Sequence, residues 1–146
     1  MKIYIASDHG GFKLKSTLIP YLNLLGYIIQ DMGPHKYANN DDYPDYVIPL
    51  AKNVAQTKSK GIVICRNGQG ACIAVNKVKG IRGVTGFSQK EAKTTRQDDN
   101  ANVLCLPAEY LTLRQAKNIV RTWLATPFSN APRHKRRLRK VAQFDR

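Results

Sequence analysis

The chain has 146 residues, 42% of them hydrophobic, and a formal net charge of +14 at pH 7. This length is that of one domain with a sizeable core. No apolar run approaches the roughly 20 residues of a membrane span, and a strand pattern begins at Met1, so we expect no signal peptide. The three cysteines, Cys65, Cys72 and Cys105, lack metal-ligand spacing. We therefore expect reduced thiols in a cytoplasmic protein without a bound metal.

Apolar runs rich in β-branched residues alternate with helix-like segments along the whole chain. The predicted strands are Lys2–Ser7, Tyr27–Asp31, Gly61–Cys65, Ile81–Phe87 and Asn102–Leu106. The predicted helices are Gly11–Leu25, Tyr43–Thr57, Gly70–Val78, Ser88–Gln97, Thr112–Ala125 and a basic one from about Arg133. This alternation is typical of a parallel sheet with helices on both faces. We predict one α/β domain over residues 1–146, with a five-stranded parallel sheet between two helical layers and a basic C-terminal helix.

The motif Asp8-His9-Gly10-Gly11 follows the first predicted strand. An acid beside an imidazole suits proton transfer to sugar oxygens, and the glycines allow a ligand close to the backbone. An Asp that caps the helix beside a surface His explains the motif equally well by itself. The motif is not G-x-G-x-x-G, so it does not predict dinucleotide binding.

The run from Ile62 to Gly70 joins an apolar strand, a cysteine and a glycine-spaced loop before the next helix. It places the thiol of Cys65 beside backbone N–H groups that a helix N-terminus leaves unpaired. We expect these groups and Arg66 to stabilise the thiolate, which makes it a base for a carbon-bound proton. A nucleophilic thiol assisted by His9, or a core cysteine before a turn, fits the same residues.

The segment Asp41-Asp42-Tyr43-Pro44-Asp45-Tyr46 opens the second predicted helix. Asp42 could cap that helix and Pro44 suits its first turn, which is a purely structural explanation. Tyr43 could instead form a side wall of a sugar pocket. In parallel sheets, ligands bind beyond the carboxyl ends of the strands. We therefore expect the Asp8 and Cys65 motifs to lie at one edge of the sheet.

The C-terminal segment concentrates the positive charge. Seven Lys or Arg residues lie between Arg133 and Arg146, against Asp145 alone. A solvated helix, a phosphate-binding segment or a nucleic-acid contact would each account for this charge. Nucleic acid is disfavoured because Phe144 is the one aromatic residue there that could stack on a base.

Taken together, these motifs resemble type B ribose-5-phosphate isomerases, in the family that includes the galactose-6-phosphate isomerase subunits. The resemblance spans almost the whole chain. It rests on Ser7-Asp8-His9 with Gly11-Phe12, Asp42-Tyr43-Pro44, Ile64-Cys65 with Gly68 and Gly70, Ile73-Ala74-Val75-Asn76-Lys77, Gly80-Ile81-Arg82, Arg96, Asn102-Val103, and Arg133-His134 with Arg137.

The resemblance implies a Rossmann-like fold and an aldose–ketose isomerase, an intramolecular oxidoreductase of pentose phosphate metabolism, without metal or cofactor. The leading substrate pair is ribose 5-phosphate and ribulose 5-phosphate. It also implies a homodimer with shared active sites, which could pair into a tetramer, and a segment 130–146 that packs on the partner subunit.

The resemblance also implies a role for each site residue. Cys65 would be the base that moves a proton between C1 and C2 through an enediolate. The backbone N–H groups of Asn67, Gly68, Gln69 and Gly70 would hold the enediolate oxygen. Two side chains would contact sugar oxygens, namely Asp8 and Tyr43. Three would bind the phosphate, namely His9, Arg133 and Arg137.

The chain departs from the family pattern in three places, one of them a pair of adjacent residues. Asp98-Asp99 stands where the family has its ring-opening histidine and an Asn, Glu109 replaces a phosphate-binding arginine, and Arg66 replaces a glycine. We expect Asp98 to act as the ring-opening acid and Asp99 to contact substrate. A buried Arg66 would need an acidic partner or ligand, so we expect it to pair with Asp98, Glu109 or the substrate. The same changes are compatible with another sugar, or with a basic binding protein that has lost catalysis.

Overall fold

The apolar runs form a single parallel sheet in the computed structural model, which describes residues 1–145. The strands are β1 (Lys2–Ser7), β2 (Ile28–Asp31), β3 (Lys60–Cys65), β4 (Gly83–Thr85) and β5 (Val103–Pro107). Their order across the sheet is β2-β1-β3-β5-β4, and every neighbouring pair is parallel. The predicted five-stranded parallel sheet is confirmed. β4 is shorter than predicted.

Six helices connect and cover the strands in the described part of the chain. They are α1 (Phe12–Leu24), α2 (Pro44–Thr57), α3 (Gln69–Val75), α4 (Gln89–Asp99), α5 (Leu113–Ala125) and α6 (Pro132–Ala142). Capping boxes start α4 at Ser88 and α5 at Thr112, because each side chain accepts a hydrogen bond from an otherwise unpaired N–H. None of these helices is long and apolar enough to cross a membrane.

Alternate residues of β3 belong to two hydrophobic cores, one on each face of the sheet. Ile62 and Ile64 pack with α1, α4 and α5, including the fully buried Trp123. Val63 and Cys65 pack with α2 and α3. Side chains of a strand alternate between its two faces, so a continuous apolar strand is buried on both. The thiol of Cys65 therefore lies on the face that α2 and α3 cover.

Two helix boundaries differ from the prediction and matter for the site. α2 is preceded by Tyr43, with Pro44 as its first residue, and Asp42 does not cap it through its side chain. α4 continues two residues beyond the predicted end at Gln97, so Asp98 and Asp99 form its last turn. α6 packs against α4 within the chain. Its packing on a partner subunit stays a prediction.

Candidate active site

Cys65 ends β3 and is 3% exposed, with α3 beginning four residues later. Hydrogen bonds from the backbone N–H groups of Ala71, Gly68 and Asn67 favour its thiolate, as expected at a helix N-terminus. Burial has the larger effect, however, and the pKa of the Cys65 thiol is raised. The expectation of a stabilised thiolate in the free chain was therefore wrong, since charged groups lose hydration on burial.

The loop after Cys65 is held by its own contacts. Gly68 has a φ of 75°, and a Cβ there would lie 3.0 Å from the backbone N of Pro107. The Asn67 side-chain oxygen accepts a hydrogen bond from the Gln69 N–H at 3.0 Å and lies 3.9 Å from the Cys65 sulfur. Only glycine fits the left-handed, closely packed position at Gly68. The loop is thus shaped to direct N–H groups towards the thiol.

Tyr43 forms a wall of the same site. A Cβ on Gly70 would lie 2.8 Å from Cζ and 2.9 Å from the hydroxyl oxygen of Tyr43. The phenol therefore lies directly against the start of α3, and only glycine leaves room for it. The structure supports the predicted position of Tyr43 beside the Cys65 loop.

Asp8 lies at the same edge of the sheet as Cys65. Its backbone N–H donates to the Ile64 carbonyl at 3.3 Å, and its carboxylate accepts a hydrogen bond from the Gly11 N–H at 3.2 Å. Burial raises the pKa of Asp8, and the Asp8 charge in turn contributes to the raised pKa of Cys65. The two predicted motifs therefore converge, as the rule for parallel sheets requires.

Asp41 is a site residue that the sequence analysis did not single out. One oxygen of its carboxylate lies 2.7 Å from Nδ1 of His9 and accepts the His9 backbone N–H at 2.9 Å. The Asp41 side chain is 7% exposed and that of His9 is 38% exposed. This hydrogen bond is the main cause of the raised pKa of His9. The pair favours the positively charged form of an accessible imidazole.

Arg66 forms a two-point ion pair with Glu109. Its Nε lies 2.9 Å from one carboxylate oxygen of Glu109, and Nη2 donates to the other at 3.1 Å. The pair raises the pKa of Arg66 and lowers that of Glu109. Of the three predicted partners, Glu109 is the one observed. The Arg66 side chain is 75% exposed, so the argument from burial was wrong.

The predicted residues Asp98, Asp99, Arg133 and Arg137 are not part of this cluster within one chain. α4 starts beyond the carboxyl end of β4 and ends at Asp99, just before β5 begins. Asp98 lies 3.7 Å from Nδ1 of the buried His134 in α6, and Arg133 and Arg137 are exposed on that helix. The length of β3, about 17 Å at 3.3 Å per residue, separates the two edges of the sheet.

Comparison with known proteins identifies the family to which this architecture belongs. Residues 3–141 match the family model described as Ribose/Galactose Isomerase. The chain belongs to this family. It is 40% identical to a probable ribose-5-phosphate isomerase B of Mycoplasma genitalium, over 99% of this chain and 95% of that protein. It is 38% identical to ribose-5-phosphate isomerase B of Mycolicibacterium paratuberculosis, over 100% and 92% of the two chains.

Solved structures of this family have the same fold. The crystal structure of the Mycoplasma genitalium enzyme with bound ribulose-5-phosphate superimposes with a TM-score of 0.94 at 39% identity, covering 98% of this chain and 95% of that one. Ribose-5-phosphate isomerase B of Clostridium thermocellum gives 0.94 at 39% identity, covering 98% and 96%. The predicted family and fold class are confirmed. The chain is thus a sugar-phosphate isomerase of the ribose-5-phosphate isomerase B type.

Proposed function

We propose that this protein interconverts ribose 5-phosphate and ribulose 5-phosphate, with Cys65 as the base. The observation that carries the proposal is the buried thiol of Cys65 at the end of β3. It accepts hydrogen bonds from backbone N–H groups and lies beside Asp8. The structural relative that contains ribulose-5-phosphate supports this choice of substrate.

In the proposed reaction Cys65 moves one proton between two carbons. The thiolate form of Cys65, which is a minority at neutral pH because the pKa is raised, takes the proton from C2 of the open-chain aldose, and the electron pair moves to the C1 carbonyl oxygen. The hydroxyl proton of O2 passes to O1, and the thiol returns its proton to C1 to give the ketose. Both protons stay in the product, so the interconversion requires no external oxidant. Backbone N–H groups of the loop from Asn67 to Gly70 stabilise the enediolate oxygen.

The remaining contacts follow from position and charge. Asp8 and Tyr43 flank the thiol and would contact sugar hydroxyls. His9, whose pKa is raised by the hydrogen bond to Asp41, would contact the phosphate. Charge-assisted hydrogen bonds to phosphate are stronger than neutral ones. This arrangement gives the sugar and the phosphate separate partners on the same edge of the sheet.

The proposed site is completed by a second subunit. Asp98, Asp99, Arg133 and Arg137 lie at the other edge of the sheet, beyond reach of Cys65 in the same chain. In a homodimer the partner's copies would supply ring opening and phosphate contacts. Arg133 and Arg137 are one helical turn apart on the same face of α6, which suits joint binding of one phosphate.

The first experiment compares isomerisation of ribose 5-phosphate by the wild type, Cys65→Ala and Cys72→Ala. We expect Cys65→Ala to lower kcat by at least about 10³-fold, since the general base is lost. Cys72→Ala is the matched control because it removes a second thiol, which is partly buried on the same face of the sheet. Equal activity of the two variants would reject Cys65 as the base.

Subunit mixing tests the shared site. Cys65→Ala and Arg137→Ala homodimers, each nearly inactive, are unfolded together and refolded. Random pairing should restore about 25% of wild-type activity, because half of the dimers then contain one intact site. If well-folded heterodimers regain no activity, each site is built from a single chain.

A second candidate function is isomerisation of a different sugar phosphate by the same chemistry. The observation that favours it is the Arg66–Glu109 pair. The family resemblance implies a phosphate-binding arginine at the position of Glu109, and this chain has a carboxylate there instead. A panel of pentose and hexose phosphates, assayed beside ribose 5-phosphate, decides between the two substrates. A kcat/KM at least tenfold higher for another sugar phosphate would replace the first assignment.

A further inference from the structure

A polar cavity of about 420 Å³ lies at the amino-terminal edge of the sheet, opposite the Cys65 site. It is lined by the end of α2, the start of β3 and the segments that precede β4 and β5. Four of its lining residues are cationic, namely Lys58, Lys60, Arg82 and Arg96. Asn100 and Asn102 add polar side chains. Lys60 and Cys65 are the two ends of β3, so about 17 Å of strand separates this cavity from the thiol.

The cations that line this cavity are partly withdrawn from water. Burial lowers the pKa of Lys60 to about 8, and the nearby charge of Arg96 contributes. Burial also lowers the pKa of Arg82 and Arg96, and the two guanidinium groups repel each other. Each group is thus less stable in its charged form than in water. An anion in the cavity would relieve this cost.

No acidic side chain within residues 1–145 pairs with these cations. The ion pairs of that part of the chain lie elsewhere: His9–Asp41, Lys15–Asp31, His35–Asp31, Arg66–Glu109 and His134–Asp98. Asp145 is near enough to influence Arg82, but its Oδ2 accepts the Gly80 N–H at 3.1 Å and forms no salt bridge. The cavity therefore has a net positive charge.

Two of the cations retain hydrogen-bond donors for a ligand. Nζ of Lys60 donates to the Leu124 carbonyl at 3.1 Å, which leaves two of its three N–H groups. Arg82 donates through Nε to the Asn100 carbonyl at 3.0 Å, and its terminal N–H groups have no partner among the described residues. Arg96 instead donates to the Thr126 and Ala101 carbonyls and the Asn100 side chain, so it forms a fixed wall.

We propose that this cavity is an anion-binding site for a phosphate group, either inorganic phosphate or the phosphate of a small monoester. Lys60 and the terminal N–H groups of Arg82 bind the oxygens, and Arg96 contributes charge from behind. A guanidinium and an ammonium group that converge on one cavity match the geometry and charge of a phosphate. None of the lining residues is among those assigned to the proposed isomerisation, although Asn100 directly follows Asp99 in the chain.

The test measures phosphate binding by calorimetry in a His9→Gln background, which weakens the proposed substrate site. The probes are inorganic phosphate and glycerol 3-phosphate. We expect saturable binding that Lys60→Met and Arg82→Gln weaken at least tenfold and that Lys60→Arg retains. Lys52→Met is the matched control, because it removes one exposed cation from α2. Tighter binding of glycerol 3-phosphate than of inorganic phosphate would identify a monoester as the ligand.

Two outcomes would overturn the proposal. One is equal weakening by Lys60→Met and Lys52→Met, which indicates unspecific attraction to a basic protein. The other is that the His9→Gln background binds no phosphate. Because a buried-lysine variant can fail to fold, the Lys60 pKa is also followed by NMR in the otherwise unchanged His9→Gln protein. Phosphate should raise it from about 8 towards its usual value of about 10.4, and an unchanged pKa contradicts the proposal.

Discussion

The two ends of β3 compensate charge in different ways. At the carboxyl end His9 is paired with Asp41 and Arg66 with Glu109, and the reactive thiol of Cys65 is uncharged at neutral pH because its pKa is raised. At the amino end Lys60 and its arginine neighbours line a cavity without an acidic partner in residues 1–145.

This difference indicates what each end requires from its ligand. Internal ion pairs at the carboxyl end hold side chains in place before substrate arrives, which lowers the cost of ordering them. The cations at the amino end have carbonyl partners but no acidic partner in residues 1–145, so an anion that entered the cavity would stabilise them further. In the two proposals, the first end carries the reaction at the sugar and the second binds an anion.

Among the substitutions that test this difference between the two ends, the largest effect is expected from Gly70→Ala, which disrupts the carboxyl end alone. The added Cβ would meet Cζ of Tyr43 at 2.8 Å, so the phenol or the loop must move. We expect kcat/KM for the sugar phosphate to fall about 10²-fold, as for a displacement of about 1 Å near a reacting centre. Steady-state kinetics measure the loss.

Two controls accompany Gly70→Ala. The double variant Gly70→Ala/Tyr43→Leu should recover thermal stability without recovering substrate binding, because the clash is gone but the wall is missing. Phosphate binding at the Lys60 cavity should not change. If Gly70→Ala alone kept full activity, the contact between Tyr43 and Gly70 would have no role in the site.

A smaller effect is expected from Asp41→Asn, which removes the charge paired with His9. The hydrogen bond from Asp41 raises the pKa of His9, so the imidazolium persists to higher pH in the wild type. In the variant the His9 pKa falls towards 6.5, and His9 is mostly neutral at pH 8. We expect KM to rise roughly 3- to 10-fold at pH 8 with little change in kcat, and much less at pH 5.5.

The exposed Asp45→Asn is the matched control, because it removes one carboxylate from the start of α2. Asp41→Glu should restore part of the effect. NMR titration of His9 gives an independent readout, and an unchanged His9 pKa in Asp41→Asn would contradict the role assigned to Asp41.

The Arg66–Glu109 pair should have a weaker influence. Both side chains are well exposed, so the pair contributes little to folding stability. Arg66→Gly leaves the Glu109 carboxylate unpaired near the phosphate side of the site, and we expect KM to rise about threefold through repulsion. Arg66→Gly/Glu109→Gln should return KM to near the wild-type value. A KM that does not change in Arg66→Gly would show that the pair lies outside the range of the substrate.

The smallest effect is expected at the amino end, in the pH dependence of stability. Lys60 has a pKa of about 8 in the folded chain, below its unfolded value of about 10.4. Between these values the unfolded chain binds more protons, so the Lys60 contribution makes stability rise with pH. Below pH 8 the cost of the buried charge is fully present.

This contribution is measured by urea unfolding of the wild type and of Lys60→Met at pH 7.5 and pH 9.5. The change in the free energy of unfolding between the two pH values is compared for the two proteins. The wild type should gain more stability than the variant over this range, and saturating phosphate should reduce the gain. An equal pH response of both proteins would mean that Lys60 titrates at its ordinary pKa.

Patterns local to the chain were sufficient for most elements of the fold. Apolar alternation and the parallel-sheet rule placed Asp8 and Cys65 at one edge, as observed. Contacts between distant segments were different. Asp41 and His9 are separated by 32 residues, and Arg66 and Glu109 by 43. No spacing rule predicts either pair. Glu109 was one of three expected partners of Arg66 because both residues depart from the family pattern, whereas nothing in the sequence pointed from His9 to Asp41.

The sequence by itself determined the α/β fold, the family and the chemical groups available for isomerisation, because these depend on periodicity and on motifs within short segments. Only the tertiary structure decided the raised pKa of Cys65, the assignment of Asp41 to His9, and the separation of Asp98 from the thiol. Burial and charge pairing depend on which segments meet in space. For the same reason the four cations of the Lys60 cavity, which come from the residue after α2, from β3, from the segment before β4 and from α4, line a single cavity only in the folded chain.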